Sequence, residues 1–364
     1  MIRGILTVLV QDGNDGTAVI EYRPADPDNR TSFAVPPLLS STVVSCPHPR
    51  RRMQPEHHTL RKQRASMASP ESERIRRWLV RNVKQAPLPS SIQEARANLE
   101  GMSSWVPLPS LTRVEPVLAG SVSGEWVSAP GAAQDRVILC LHGGGYTMGS
   151  SKATHVLAAN FSAASGCRVL VIDYRLAPEH PFPAALEDTI SAYRWLLQQG
   201  IRSDRIVLAG LSAGGGLALS ALVSLRDAKI DLPAAAVLIS PWTDLAGTGK
   251  SVGTRAKADP WLTDEMNQYH AALYAGGKDL RHPLISPLYA DLHGLPPLLI
   301  HVGTDEIMLY DSTRIAEQAR NAGVEATLDV WEGMWHVWHA FASRLPEGKK
   351  AIEQIGQFIR RSQR

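Results

Sequence analysis

The stretch Ile206-Val207-Leu208-Ala209-Gly210-Leu211-Ser212-Ala213-Gly214-Gly215 joins a short apolar run to a long helical one. The apolar run reads as a buried strand, and residues 213–228 read as a helix. Between them Gly210 to Gly214 spell G-x-S-x-G. That pattern alone arises by chance, and its position at a strand-to-helix turn is what gives it content. A serine at such a turn is held in strained backbone with its hydroxyl pushed out above the sheet. Its flanking residues must be small so that strand and helix can approach, and Gly210 and Gly214 supply the room. The amide of Ala213 opens the helix, where negative charge is favoured. Ser212 is the candidate nucleophile.

The pattern extends in both directions. Strand-like runs fall at 112–118, 122–128, 136–141, 168–172, 205–209, 235–240, 297–302 and 324–330, and helical runs at 153–165, 184–199, 213–228 and 309–322. Apolar strands alternating with amphipathic helices predict an α/β fold, a mostly parallel sheet of about eight strands covered on both faces. The first two strands have no helix between them and are expected to form an antiparallel edge. Residues 241–296 interrupt the alternation, with one helical run at 264–275.

Ahead of the sheet lie two amphipathic segments. Ser69 can cap a helix that has Pro70 at its first position and Glu71 and Glu73 in its first turn. Ile75, Trp78, Leu79 and Val83 follow at helical spacing, and Ser91 with Glu94 forms a capping box for a second helix. The expected division is a poorly structured or dispensable leader at 1–66, a helical cap segment at 67–110 and a catalytic domain at 111–364. In the last of these, 241–296 contributes to cap and pocket.

Charge divides at the same place. Residues 1–66 hold nine Lys or Arg against six Asp or Glu, and the other 298 residues hold 29 of each, so the net charge of +3 lies wholly upstream. Arg50, Arg51, Arg52, Arg61, Lys62 and Arg64 could form a basic arm, but seven prolines and no interleaved aromatics fit a leader better than a nucleic-acid ligand. The apolar start, Gly4 to Val10, is short for a secretion signal, and no run reaches the roughly 18 residues of a membrane span. Three scattered cysteines, Cys46, Cys140 and Cys167, fit neither a disulfide framework nor a zinc ribbon. These features favour a cytoplasmic protein without nucleic-acid partner or stable membrane insertion.

His142-Gly143-Gly144-Gly145-Tyr146 follows the strand Val137 to Leu141. A tetrahedral oxyanion needs amides converging from two directions, and consecutive glycines let the main chain approach and turn its N–H groups inward. Gly143, Gly144 and Ala213 are the candidate donors. His142 has no partner at metal-ligand spacing and reads as a loop-ordering residue. Gly249-Lys250-Ser251 ends like a phosphate-binding loop, but Asp244 stands where its first glycine is required.

The run H-G-G-G-Y, then Asp173-Tyr174-Arg175-Leu176-Ala177-Pro178-Glu179-His180 with Phe182-Pro183-Ala184-Ala185, then G-L-S-A-G-G, resembles the bacterial hormone-sensitive-lipase-like esterases over about residues 67–364. The resemblance implies the α/β-hydrolase fold with a helical cap, and hydrolysis of short-to-medium acyl esters by a Ser-Asp-His triad. It implies no metal and no organic cofactor, and a small-molecule ester as the partner, with a homodimer allowed. Leu211 stands where much of the family has Asp.

Chain order in this fold is nucleophile, acid, histidine. The loop Gly303-Thr304-Asp305-Glu306 follows the strand Leu298 to Val302, at the sheet edge where α/β proteins place their sites. Asp305 is the expected acid, matching the first aspartate of the family's D-x-x-x-x-x-D segment, with Glu306 and Asp311 as competitors. His336, in Gly333-Met334-Trp335-His336, matches the family's histidine and is the expected base, with His339 as rival. Tyr146 and Trp242 are the expected substrate-pocket walls, joined by cap residues around Trp78 and Met102. Two other readings stay open: a non-enzymatic ligand-binding protein on the same fold, and a hydrolase of amides or other acyl bonds.

Overall fold

The computed structural model describes residues 61–62, 68–87, 89–103 and 106–363, which fall within one compact unit, His58–Arg364. Arg50 to Arg52, and the expected boundary at Met67, lie outside the described residues.

In chain order the elements are β1 (Arg61–Lys62), α1 (Pro70–Leu79), α2 (Ile92–Ser103), β2 (Arg113–Ala119), β3 (Val122–Ser128), β4 (Ala133–Leu141), α3 (Ser151–Ser165), β5 (Cys167–Ile172), α4 (Ala184–Gln198), β6 (Ile206–Leu211) and α5 (Ala213–Asp227). Then follow β7 (Ala235–Ile239), α6 (Lys250–Thr254), α7 (Asp264–Ala275), β8 (Leu298–Gly303), α8 (Leu309–Asn321), β9 (Ala326–Trp331) and α9 (Pro346–Ser362). They form one sheet in the order β1-β9-β8-β7-β6-β4-β5-β3-β2. The β2–β3 and β3–β5 pairs are antiparallel, which makes the expected antiparallel edge, and the rest are parallel. To the eight expected strands the chain adds β1, a two-residue strand pairing Arg61 with Asp329 and Lys62 with Val330.

Side-chain alternation divides the core between the two faces of the sheet. Val137, Leu139 and Leu141 of β4 and Ile206 and Leu208 of β6 pack under α4, α5 and α8. Ile138, Cys140, Val207, Ala209 and Leu211 pack on the other side under α3 and α9. Helix α9 was not among the expected elements. It buries Ala351, Ile352, Ile355, Phe358 and Ile359, the spacing of one helical face.

Helices α1 and α2 start as their sequence predicts, with one difference. Ser69 Oγ accepts from Ser72 N at 3.2 Å, and Ser69 also donates to the carboxylate of Glu347 at the start of α9. Ser91 Oγ accepts from Glu94 N, but the Glu94 carboxylate reaches back one residue further than expected, to Ser90 N and Oγ. After Leu79 the chain continues in a wider turn, Val80–Lys84, closed by Gln85 N donating to Val80 O. Leu79, Ile75 and Trp78 pack with Trp331, Trp335, Trp338 and Phe341 in a third cluster, which seats α1 on the segments that follow β9.

Candidate active site

Ser212 occupies the turn between β6 and α5 with φ 56° and ψ −119°, backbone that a residue with a side chain rarely adopts. Its surroundings hold it there. Ser212 N donates to Ile239 O, and Ser212 O accepts from the amides of Gly215, Gly216 and Trp242. A Cβ at Gly210 would collide with the Gly214 carbonyl, and one at Gly214 with the Leu141 carbonyl. Both glycines of the motif are thus steric requirements. Leu211 is buried in the core and also lines the cavity beside the serine.

The glycine loop after β4 comes up to this serine. A Cβ on Gly143 would lie 3.2 Å from Leu211 O and 3.4 Å from Ser212 Cβ. Gly144 has φ +120°, where a side chain would strike the Met148 carbonyl. No backbone carbonyl among the described residues accepts from the amides of Gly143, Gly144 or Ala213. His142 stacks on Tyr174 at 4.0 Å between ring centroids, and its Nδ1 donates to Gly143 O at 2.8 Å. The Tyr174 hydroxyl in turn donates to His142 O. Burial lowers the His142 pKa, so the ring is neutral and braces the loop.

His336 lines the same cavity as Ser212, and its Nδ1 lies 2.9 Å from Glu306 Oε2. The expected acid, Asp305, is elsewhere. Its Oδ2 takes a 2.7 Å ion pair from Arg76 of α1, and its Oδ1 accepts from Thr304 Oγ1. The reason is the turn after β8. Gly303 N donates to Glu306 Oε1, which folds that side chain inward, and the neighbouring Asp305 is left pointing out toward α1. Asp311, the other competitor, receives the amides of Thr243 and Asp244 and pairs with Arg314.

Glu306 is fully buried, and burial raises its pKa against the opposing pull of His336. Its Oε1 also accepts from Ser240 Oγ, and that hydroxyl accepts from Val337 N next to the histidine. Ser240 therefore ties the Glu306 loop to the His336 loop, a link sequence reading missed although Ser240-Pro241-Trp242 closes a strand. Asp259 was missed too. It is buried under the same site, accepting from Trp261 N, Leu262 N and Ile307 N, and burial raises its pKa while His336 opposes this.

The rival histidine, His339, faces away from the cavity. Its Nε2 lies 3.1 Å from His301 Nδ1 inside the tryptophan cluster, and burial holds its pKa well below the ordinary value. No group of three His, Cys, Asp or Glu among the described residues is arranged to hold a metal ion, and no helix among them is long and apolar enough to cross a membrane.

The cavity holds about 440 Å3 and is walled by Trp242, Trp261, Trp78, Met102, Met266 and Leu157, among others. Trp242, Trp78 and Met102 line this cavity. Tyr146, expected as a second wall, does not line it: the residue is buried behind the wall, stacked on Tyr274 at 3.7 Å, with its ring 6.2 Å from Trp242. An aromatic at the end of a tight turn with φ 63° is swung into the core, where its area is buried most fully.

A parallel sheet wound in this order, with a strained serine between strand and helix and a histidine delivered after the last strand, defines an α/β-hydrolase. Residues 138–340 match a family model described as alpha/beta hydrolase fold. The chain is 43% identical over 302 residues to an acetyl-hydrolase of Streptomyces hygroscopicus, covering 81% of this chain and 97% of that one. A solved esterase from the bacterial hormone-sensitive lipase family is 48% identical, with a TM-score of 0.80 over 81% of this chain and 99% of the other. The esterase EstE5, soaked by p-nitrophenyl butyrate, is 45% identical with a TM-score of 0.77 over the same shares, and it has also been solved with PMSF. The chain belongs to the bacterial hormone-sensitive lipase family of esterases, and it is a carboxylic-ester hydrolase.

Proposed function

We propose that this esterase cleaves short-to-medium acyl esters through an acyl-enzyme on Ser212, with His336 as general base and Glu306 as the acid that orients it. The observation that carries the reading is the shared cavity: Ser212 on its strained turn and His336, held by Glu306, line one largely apolar pocket. His336 takes the Ser212 proton as the hydroxyl attacks the ester carbonyl. The amides of Gly143, Gly144 and Ala213 stabilise the resulting oxyanion, a contribution of about 3 kcal/mol for each donor. The alcohol departs with the proton from His336, and the same nitrogen then draws a proton from water as it attacks the acyl-enzyme. Glu306 holds the imidazole in its working tautomer and stabilises the imidazolium without itself taking the proton.

Acyl length follows from the pocket. Trp242 and Leu211 line the cavity together with Ser212, and Trp78 and Met102 from the 67–110 segment add apolar bulk to its wall. An acetyl-hydrolase and an esterase soaked by a butyrate ester among the relatives support the same range. A panel of p-nitrophenyl esters from acetate to palmitate should show kcat/KM highest at the short and middle members and falling steeply at palmitate. A preference for emulsified long-chain triglyceride would refute the acyl range.

We infer that residues 1–66 are dispensable for this activity, with 67–110 forming the cap and 241–296 contributing to it. A chain starting at Met67 keeps the Ser69 cap and its bonds to Glu347, and loses only the two-residue β1 from the described sheet. It should fold and retain ester hydrolysis; an insoluble or inactive product would show that the first segment belongs to the working protein.

A further inference from the structure

One guanidinium from the cap reaches all three segments that build the base end of the site. Arg76 of α1 donates from one terminal nitrogen to Asp305 Oδ2 at 2.7 Å and to the Gly333 carbonyl at 2.7 Å. Its other terminal nitrogen donates to the Ala258 carbonyl at 2.9 Å. Asp305 precedes Glu306, Gly333 lies three residues before His336, and Ala258 precedes Asp259, whose carboxylate takes the amide of Ile307. The guanidinium also lies 5.7 Å from the Trp335 ring centroid, next to the histidine. Lys84, just beyond α1, adds a second cation on the Ala256 and Asp259 carbonyls.

We infer that Arg76 is a positioning residue for the reaction, setting the Glu306 and His336 loops in register so that cap docking and triad geometry are one event. The inference rests on the reading of Ser212, Glu306 and His336 given above. The three acceptors lie 182, 229 and 257 residues along the chain from Arg76, so local structure does not tie them to it. A planar fork with fixed N–H directions satisfies three acceptors at once, whereas a lysine ammonium is a point charge on a flexible stem. Loop displacement matters here because a misplacement near 1 Å at reacting groups costs about a hundredfold in rate.

The test is steady-state kinetics on p-nitrophenyl butyrate with Arg76→Ala and Arg76→Lys in the full chain. We expect the alanine variant to lose about thirty- to a hundredfold in kcat, with KM changed by less than about threefold. The lysine variant should recover part of that loss, and guanidinium ion at non-denaturing concentration should raise kcat of the alanine variant while leaving wild type unmoved. Values of kcat within about twofold of wild type in both variants, with only a lower melting temperature, would reduce Arg76 to a staple and overturn the inference. A loss carried wholly by KM would overturn it as well, by making Arg76 a substrate contact. If the alanine variant fails to fold, the lysine variant decides by the same two readings. Wild-type activity that survives Ser212→Ala would instead sink the Ser212 reading, so the two failures are told apart.

Discussion

Ester hydrolysis by the Ser212→Ala variant should fall by about six orders of magnitude, the loss seen when a nucleophile is removed from a serine triad that acts as a unit. The fold should be unaffected. Alanine keeps the Cβ already accommodated at φ 56°, and the bonds that hold this turn run through the backbone N–H and carbonyl of residue 212. His336→Ala should produce a loss of similar size, and the double variant should be little worse than either, because each removes the same acyl-transfer step. The measurement is kcat for p-nitrophenyl butyrate on purified variants with melting temperatures alongside. Turnover by Ser212→Ala near wild type would refute the nucleophile. Normal activity in His336→Ala would require another base, and His339, bonded to His301 within the tryptophan cluster, is badly placed to be one.

Glu306→Gln should lower kcat by about ten-thousandfold, the effect of leaving a triad histidine in the wrong tautomer while preserving its position. Glutamine matches glutamate in shape, so Ser240 Oγ and Gly303 N keep a neighbour, while the negative charge facing His336 Nδ1 is lost. Asp305→Asn is the decisive comparison. It removes the charge that meets Arg76, a part-exposed ion pair worth about 1 kcal/mol, so the expected loss is within about tenfold. The two variants should therefore differ by about a thousandfold in kcat on the same substrate. Equal losses, or a larger one in Asp305→Asn, would return the acid to Asp305.

The pair shows where sequence reading stops. Ser212 was legible because its constraint is local: a turn between a strand and a helix demands small neighbours, and Gly210 and Gly214 are those neighbours. The alternating strands and helices and the glycine loop were legible for the same reason, since period and turn chemistry act over a few residues. His336 followed from motif and chain order. Which carboxylate faces His336 did not, because two consecutive carboxylates, Asp305 and Glu306, share one loop and differ only in the direction each side chain takes. That direction is set by Gly303 N on one side and by Arg76 on the other, the latter 229 residues away. Tyr146 misled in the same manner: its place beside the glycine loop suggested a pocket wall, and the partner that draws it inward, Tyr274, lies in the insertion. Arg76, Ser240 and Asp259 carry no pattern of their own, and their roles exist only once distant segments meet.

The bonds between Ser69 and Glu347 join the start of α1 to the start of α9 across 278 positions. Arg76 spans nearly as far to Gly333. A polypeptide emerging from the ribosome can therefore lay down its sheet from β2 onward and place Ser212 on its turn, yet it cannot seat α1 through these bonds until the start of α9 has been made. Closure of so wide a loop comes after local elements have formed, because its entropic cost must be met before those contacts are gained. The cavity at Ser212, walled in part by Ile75 and Trp78 of α1, is thus completed only once α9 has been made, and a shorter nascent chain carries Ser212 without that wall.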